Sequence, residues 1–410
     1  MKCIFTIYFI LIQLAGFAAT LEVGKSKTYT SIKTAIETAQ DGDVILIHKG
    51  IYAEGQIILN KQLHLKGINF PVVDGKNASQ IFFVQADGVI IEGLDIRNGG
   101  YSSSYDWSAI MVLDCNRVVI RNNRLSNNSF GINLQNTSFC RIEKNIIKGN
   151  PENEFQSGNA IHCWKSNNIR ILNNELTGHR DGIYFEFVTH SFIGSNNSYK
   201  NIRYGLHFMF SNDDIYFNNI FKSNGAGVAV MFSKNVSMLW NQFHENWGSA
   251  AYGILLKEIS GGKIERNTFV RNTVGIYMEG SNRMMVQNNI FKSNGWAMRI
   301  QSSCDGNQIY HNNFFANTFD VATNGTMQLN HFSENYWDKY EGYDLNKDRL
   351  GDVPYQPVSL YSMVVEKIPA ASILLRSFMV TIMDKVERVI PSITPIELKD
   401  AQPLMKPFAL

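Results

Sequence analysis

Two thioethers, an imidazole and a carboxylate carry the most specific chemistry in this chain of 410 residues. His207 and Met209 are separated by one residue, and Glu186 and Met231 lie roughly one repeat length to either side of Met209. If segments of that length stack as strands, neighbouring rungs stand about 4.8 Å apart and alternate residues of a strand about 6.6 Å apart. Met209 then meets Met231, with His207 beside it and Glu186 one rung away. Two thioethers and an imidazole suit a soft ion such as Cu(I). The competing reading is an amphipathic contact surface. A second candidate is Asp344-x-Asn346-x-Asp348-x-x-x-Asp352, oxygen side chains at the alternating spacing of a calcium loop. Arg349 stands where such loops usually bend at Gly, so a solvated turn competes there. Carboxylate catalysis is poorly served. Glu186 and Glu279 fall four rungs apart, roughly 19 Å by the same spacing, and the dense triplet His179-Arg180-Asp181 lies at a corner. Trp164, Tyr184 and Tyr277 could stack on sugars, which keeps a carbohydrate-binding or polysaccharide-modifying alternative open.

The elements that must position these residues follow from a repeat. Asn recurs about every 22 residues, at 123, 145, 174, 197, 219, 241, 267, 289, 313 and 335. Two residues after each comes a bulky side chain: Leu125, Ile147, Leu176, Tyr199, Phe221, Phe243, Phe269, Phe291, Phe315 and Trp337. Periods of this size mark a solenoid, whose units bury their apolar faces against their neighbours. A second column, from Gly131 through Gly182, Gly205, Gly227 and Gly253 to Gly275, opens short runs of period-two alternation. Such runs are half-buried strands. Short strands with Asn and Gly at the corners point to an all-β parallel β-helix, with Asn supplying the left-handed corner angles and a hydrogen-bonding ladder. The residues between the buried pairs are expected to face solvent in two columns. One runs through Asn133, His162, Tyr184, His207, Ala229, Leu255, Tyr277 and Arg299. The other holds Gln135, Trp164, Glu186, Met209, Met231, Lys257, Glu279 and Gln301. Extra residues at Gly99–Trp107, Pro151–Ser157 and Trp247–Ala250 share one phase, which places them on one edge, often the working edge of a solenoid.

Around this body the ends differ. Residues 1–18 read as a secretory signal, a short basic start, an apolar run and small residues near Ala18. Residues 19–60 read as an N-terminal cap and first rungs, with helical spacing over Thr30–Thr38. The β-helix proper is expected over 61–342. Residues 343–410 read as a loop and an amphipathic helical segment, interrupted by charges and so unable to span a bilayer. Phe378 and Ile382 lie on its apolar face, which packs either on a partner or on the last rung. Net charge is +2, so composition argues for no nucleic-acid partner. Cys115, Cys140, Cys163 and Cys304 show no Cys-x-x-Cys spacing and name no disulfide pair; Cys163 falls in an inward column.

Several phrases resemble the NosD family: His179-Arg180-Asp181-Gly182-Ile183-Tyr184-Phe185-Glu186-Phe187, Tyr204-Gly205-Leu206-His207-Phe208-Met209-Phe210, Asn317-Thr318-Phe319-Asp320-Val321 and Asn335-Tyr336-Trp337-Asp338-Lys339-Tyr340. Gly351-Asp352-Val353-Pro354-Tyr355 and Pro403-Leu404-Met405-Lys406-Pro407 are similar too, so the likeness runs from about Ser26 to the C-terminus. The resemblance implies a single right-handed parallel β-helix of the pectate-lyase kind, with a helical cap and tail. It implies a periplasmic, non-enzymatic accessory protein for maturation of nitrous oxide reductase, handling copper. Implied partners are the permease and ATPase of an ABC transporter, the reductase and a copper chaperone lipoprotein. The C-terminal segment, with Phe378 and Ile382, would dock on the transporter, and His162, Trp164 and Tyr184 would face a partner. The family supplies no ligand list; the copper cluster rests on the column geometry alone.

Overall fold

The structure, a computed structural model, describes residues 18–150, 157–325, 329–375, 377–390, 394 and 398–408, and only the backbone of Asp384 and Arg388. The expected leader, save its last position, and residues 151–156 of one insertion lie outside the described residues. Each coil gives one strand to each of three sheets: sheet I with 14 strands, sheet II with 13 and sheet III with 12. Each strand pairs in parallel with its counterpart one coil away, as Phe221 does with Phe243 and Leu206 with Val228. Phe221, Phe243, Phe269, Phe291, Phe314 and Trp337 stack inside sheet II with ring centroids 5.4, 4.8, 4.8, 4.8 and 4.1 Å apart. Each such pair adds about 0.5–1.5 kcal/mol beyond its buried area.

The Asn column closes the corner between sheets I and II. Asn241 donates its backbone N–H and Nδ2 to Oδ1 of Asn267, at 2.8 and 3.1 Å, and Nδ2 also donates to the carbonyl of Tyr216. Its own Oδ1 accepts from the backbone N–H and Nδ2 of Asn219. A buried amide is costly unless satisfied, and here each ladder amide satisfies the next. Two members differ from the sequence expectation: the ladder runs through Asn196 and Asn312, not Asn197 and Asn313. Accordingly Ser198 and Phe314 point inward, while Tyr199 reaches out to the Glu175 carboxylate at 2.7 Å. Each position is an Asn-Asn doublet, so residue type alone does not choose the register. Geometry does: the left-handed residue is the one before each ladder Asn, whether Lys144, Ser195, Trp240, Arg266 or His311. The Asn is required for its hydrogen bonds, not for its φ. A second Asn ladder, Asn201, Asn224, Asn246, Asn272, Asn294 and Asn317, closes the corner between sheets II and III.

Both ends are closed. Helix α1 (Ile32–Thr38) buries Ile32, Ala35 and Ile36. Its first amides, those of Ile32 and Lys33, donate to the Glu54 carboxylate at 2.8 and 2.9 Å, a charge favoured at a helix N-terminus. At the other end buried Asp400 takes the place of the next ladder Asn. Its carboxylate accepts from the backbone N–H and Nδ2 of Asn335 and from Nε1 of Trp337. Helix α2 (Leu360–Lys367) lies over the end of sheet III, with Tyr361 against Phe319 at 5.6 Å between centroids. Helix α3 (Phe378–Val389) turns Val380 and Met383 toward that cluster. Among the described residues no helix is long and apolar enough to cross a membrane.

Candidate functional site

The outer face of sheet III collects most of the chemistry. Strand register aligns Asn133, His162, Tyr184, His207 and Ala229 on successive coils, and Gln135, Trp164, Glu186, Met209, Met231 and Lys257 beside them. Met209 and Met231 are direct partners, and Glu186 is the partner of Met209 on the other side.

The first of these columns is only partly open to solvent, with Tyr184, Leu255, Tyr277 and Arg299 half-buried. Asn133, His162, His207 and Ala229 are buried. A third file, missed by the sequence reading, also lies on this face: Phe130, Asn159, Asp181, Tyr204, Tyr252 and Trp296, each just before the Gly or Ala of its strand. Phe130 stacks on His162 with centroids 5.9 Å apart, and Tyr204 lies 4.7 Å from His207. Tyr184 sits between the two imidazoles at 4.9 Å from each. The signal was available, since an aromatic or polar side chain precedes most of the Gly positions, but alternation read from the Gly onward starts one residue too late.

Burial sets the protonation of these imidazoles. Desolvation, with Arg180 nearby, lowers His162 to about 4. His179, wholly enclosed, also falls to about 4 through desolvation. Both are neutral at physiological pH. His207 holds Nδ1 3.4 Å from Asp181 Oδ2, while its Nε2 is buried without a hydrogen-bond partner. Of the proposed copper set, then, His207 is enclosed behind the column, and Glu186, Met209 and Met231 are half-buried at its rim. Among the described residues no group of three or more His, Cys, Asp and Glu side chains is placed to hold a metal ion. That observation leaves thioethers aside.

Beside the thioether column runs an aromatic ridge. Phe187, Phe210 and Phe232 occupy left-handed corner positions with φ of 54°, 50° and 53°, a conformation costing a bulky residue roughly 1–2 kcal/mol. They stack at 5.2 and 5.1 Å and remain 46%, 40% and 42% exposed. The ridge follows Glu186, Met209 and Met231 residue for residue. One coil before it, Lys165 lies 4.3 Å from the Trp164 ring centroid.

The remaining candidates fall elsewhere. Asp344 accepts from the backbone amides of Lys347, Asp348 and Arg349, Asp348 from Leu350, and Asp352 from Leu345. Asn346 donates to Asp348, so these oxygens close their own loop. Glu279 pairs with Lys257 at 3.3 Å. Among the described residues Cys115, Cys140, Cys163 and Cys304 are free and buried. Phe378 is 79% exposed, and Met379, Ile382, Val386 and Val389 join it on an open apolar face of α3.

Two protein-family models match parts of this chain. Residues 18–159 match the right-handed β-helix region family, and residues 152–342 match the family described as periplasmic copper-binding protein (NosD). A probable ABC transporter binding protein NosD of Stutzerimonas stutzeri is 26% identical over 86% of this chain and 85% of its own length. A protein of the same name from Pseudomonas aeruginosa is 26% identical over 87% of each. Among solved structures, the catalytic unit of a GH87 α-1,3-glucanase from Streptomyces thermodiastaticus superposes with a TM-score of 0.62, at 13% identity, over 80% of this chain and 70% of that one. The Dettilon tailspike protein superposes at 0.61 and 13%, over 76% and 70%. These two share the fold alone. The family model matched by residues 152–342 is described as a copper-binding protein, and the chain itself folds as a right-handed parallel β-helix.

Proposed function

We propose that this protein is a periplasmic accessory factor in the maturation of nitrous oxide reductase, with Cu(I) as its cargo and an ATP-driven transporter as its partner. The observation that supports this most strongly is the register-paired Met209 and Met231 on a half-buried rim. Thioethers are soft ligands that favour Cu(I), and half-exposure lets cargo enter and leave. Glu186 adds an oxygen donor on the adjacent rung. His207, with an unpartnered Nε2 behind the rim, supplies a nitrogen donor when its packing opens. Without Cys ligands, such a set suits transfer rather than storage. The partner faces would be the rim around His162, Trp164 and Tyr184 for client or chaperone, and α3 for the transporter's membrane subunit.

The test is a strain carrying His207→Gln, Met209→Leu and Met231→Leu together. The variant should accumulate to normal levels, while the reductase it serves is deficient in copper by metal analysis. Full copper loading would remove the cargo assignment. For the docking face, Phe378→Asp with Ile382→Asp should abolish co-purification with permease and ATPase, and unchanged recovery would refute that role. These point variants are preferable to removing residues 391–410, because Asp400 closes the main Asn ladder.

A further inference from the structure

We infer that Asp181 is the positioning residue of the thioether site: its carboxylate keeps a proton on Nδ1 of His207, so that Nε2 is the nitrogen left free to coordinate. This deepens the copper reading above and rests on it. Strand register pairs Asp181 with Tyr204 on the next coil, three residues before His207 on the same strand. Oδ1 of Asp181 accepts from the backbone N–H of Tyr204 at 3.2 Å, and Oδ2 stands 3.4 Å from Nδ1 of His207. The strand that carries the imidazole therefore also fixes the carboxylate that orients it. Asp181 is 1% exposed and His207 6%, which leaves water little access to their contact.

The two ring nitrogens of a histidine are distinct, and the hydrogen bond made at one decides which of them carries the proton. An ionised carboxylate only accepts, so a ring that meets Asp181 through Nδ1 keeps its proton there. Nε2 is then the acceptor, and it is buried with no hydrogen-bond partner. A buried acceptor left empty is costly; one placed a strand step of about 6.6 Å from Met209 gains its partner when a soft ion is held. Histidines that bind metal commonly donate their other N–H to a carboxylate in this way. The rings of Tyr184 and Tyr204, 4.9 and 4.7 Å from the imidazole, pack against it and restrain its plane. Nor does Asn159, at the equivalent place one coil earlier, draw on the carboxylate, since both of its amide atoms are unpartnered. Capping the Tyr204 amide needs one oxygen, which an Asn would supply equally. Only the contact with His207 calls for the second.

Long-range proton–nitrogen NMR of the metal-free mature chain, carrying isotope-labelled histidine, reads the tautomer, and His207→Gln identifies the signal. At neutral pH the parent should show a proton on Nδ1 of His207 and none on Nε2. A proton on Nε2 in the parent would overturn the assignment, and this result does not depend on any variant of Asp181 folding. Asp181→Asn keeps an oxygen for the Tyr204 amide but turns its NH₂ toward His207, so it should move the proton to Nε2. In competition against bicinchoninate that variant should hold Cu(I) about tenfold less tightly than the parent. Equal affinity of the two proteins would overturn the positioning role and leave the copper reading in place. A parent that takes up no Cu(I) would remove the copper reading, and the role of Asp181 with it, whatever the tautomer.

Discussion

The Asn corner and the outer face of sheet III are built from the same kinds of side chain and treat them in opposite ways. At the corner, each coil from Asn123 onward repeats one bonding pattern, and the amide of Asn241 finds partners on the coils before and after it. On the outer face, Asn133, Asn159 and His162 are equally buried but have side-chain atoms with no partner. Leaving a buried polar group unpaired costs about 1–3 kcal/mol. The first region holds the solenoid together. The second carries polar groups that the fold does not need, which is what a region shaped by binding looks like.

Substitution should separate the two regions most sharply. Asn241→Ala removes one ladder amide and strands donors on Asn219 and the carbonyl of Tyr216, so it should cost about 4 kcal/mol in denaturant unfolding. Asn133→Leu removes a buried amide that has no partner and should leave stability within about 1 kcal/mol of the parent, or raise it. Equal losses for the two would erase the distinction.

Titration gives the next largest contrast. His162, lowered by desolvation to about 4 in the fold from an ordinary 6.5, contributes stability that is present above pH 6.5 and lost as pH falls toward 4. Asp214, at the corner between sheets III and I, is raised by desolvation from 3.8 to about 8. Its contribution is present below pH 4 and lost as pH rises toward 8. Each slope is about 1.4 kcal/mol per pH unit. His162→Gln should therefore flatten the acid side of the stability profile, and Asp214→Asn, which keeps an acceptor for the Ser191 amide, should flatten the neutral side. Unfolding midpoints measured from pH 4 to 8 decide this, and a variant profile parallel to the parent's would contradict the assignment for that residue.

A smaller effect concerns the aromatic ridge. Phe210→Asn relieves a left-handed aromatic and loses two exposed stacking contacts, terms of about 1 kcal/mol each and opposite sign. Thermal unfolding should move little. Binding to whatever meets the Met209 and Met231 rim should weaken, because the ridge lies directly beside it. A large drop in stability would show that the ridge belongs to the scaffold.

Much of the architecture was legible because a solenoid writes its contacts at a fixed period. Phe221, Phe243, Phe269 and Phe291 superimpose as their spacing required, and Met209 meets Met231. What the sequence hid has physical causes. The doublets at 196–197 and 312–313 offer two registers, and only hydrogen bonding chooses between them. His162 and His207 look exposed by alternation, because the covering rings of Phe130 and Tyr204 stand in a file that begins before the strand signal. Asp400 was invisible as a ladder member since it lies 65 residues beyond Asn335 and is a different residue type.

The central claim is that register places two thioethers where Cu(I) can be held, and competition against bicinchoninate under anaerobic conditions tests it most directly. The parent protein should withdraw one equivalent of Cu(I) from the indicator. Met209→Leu/Met231→Leu should withdraw none while melting at the same temperature. Equal withdrawal by both proteins would contradict the account.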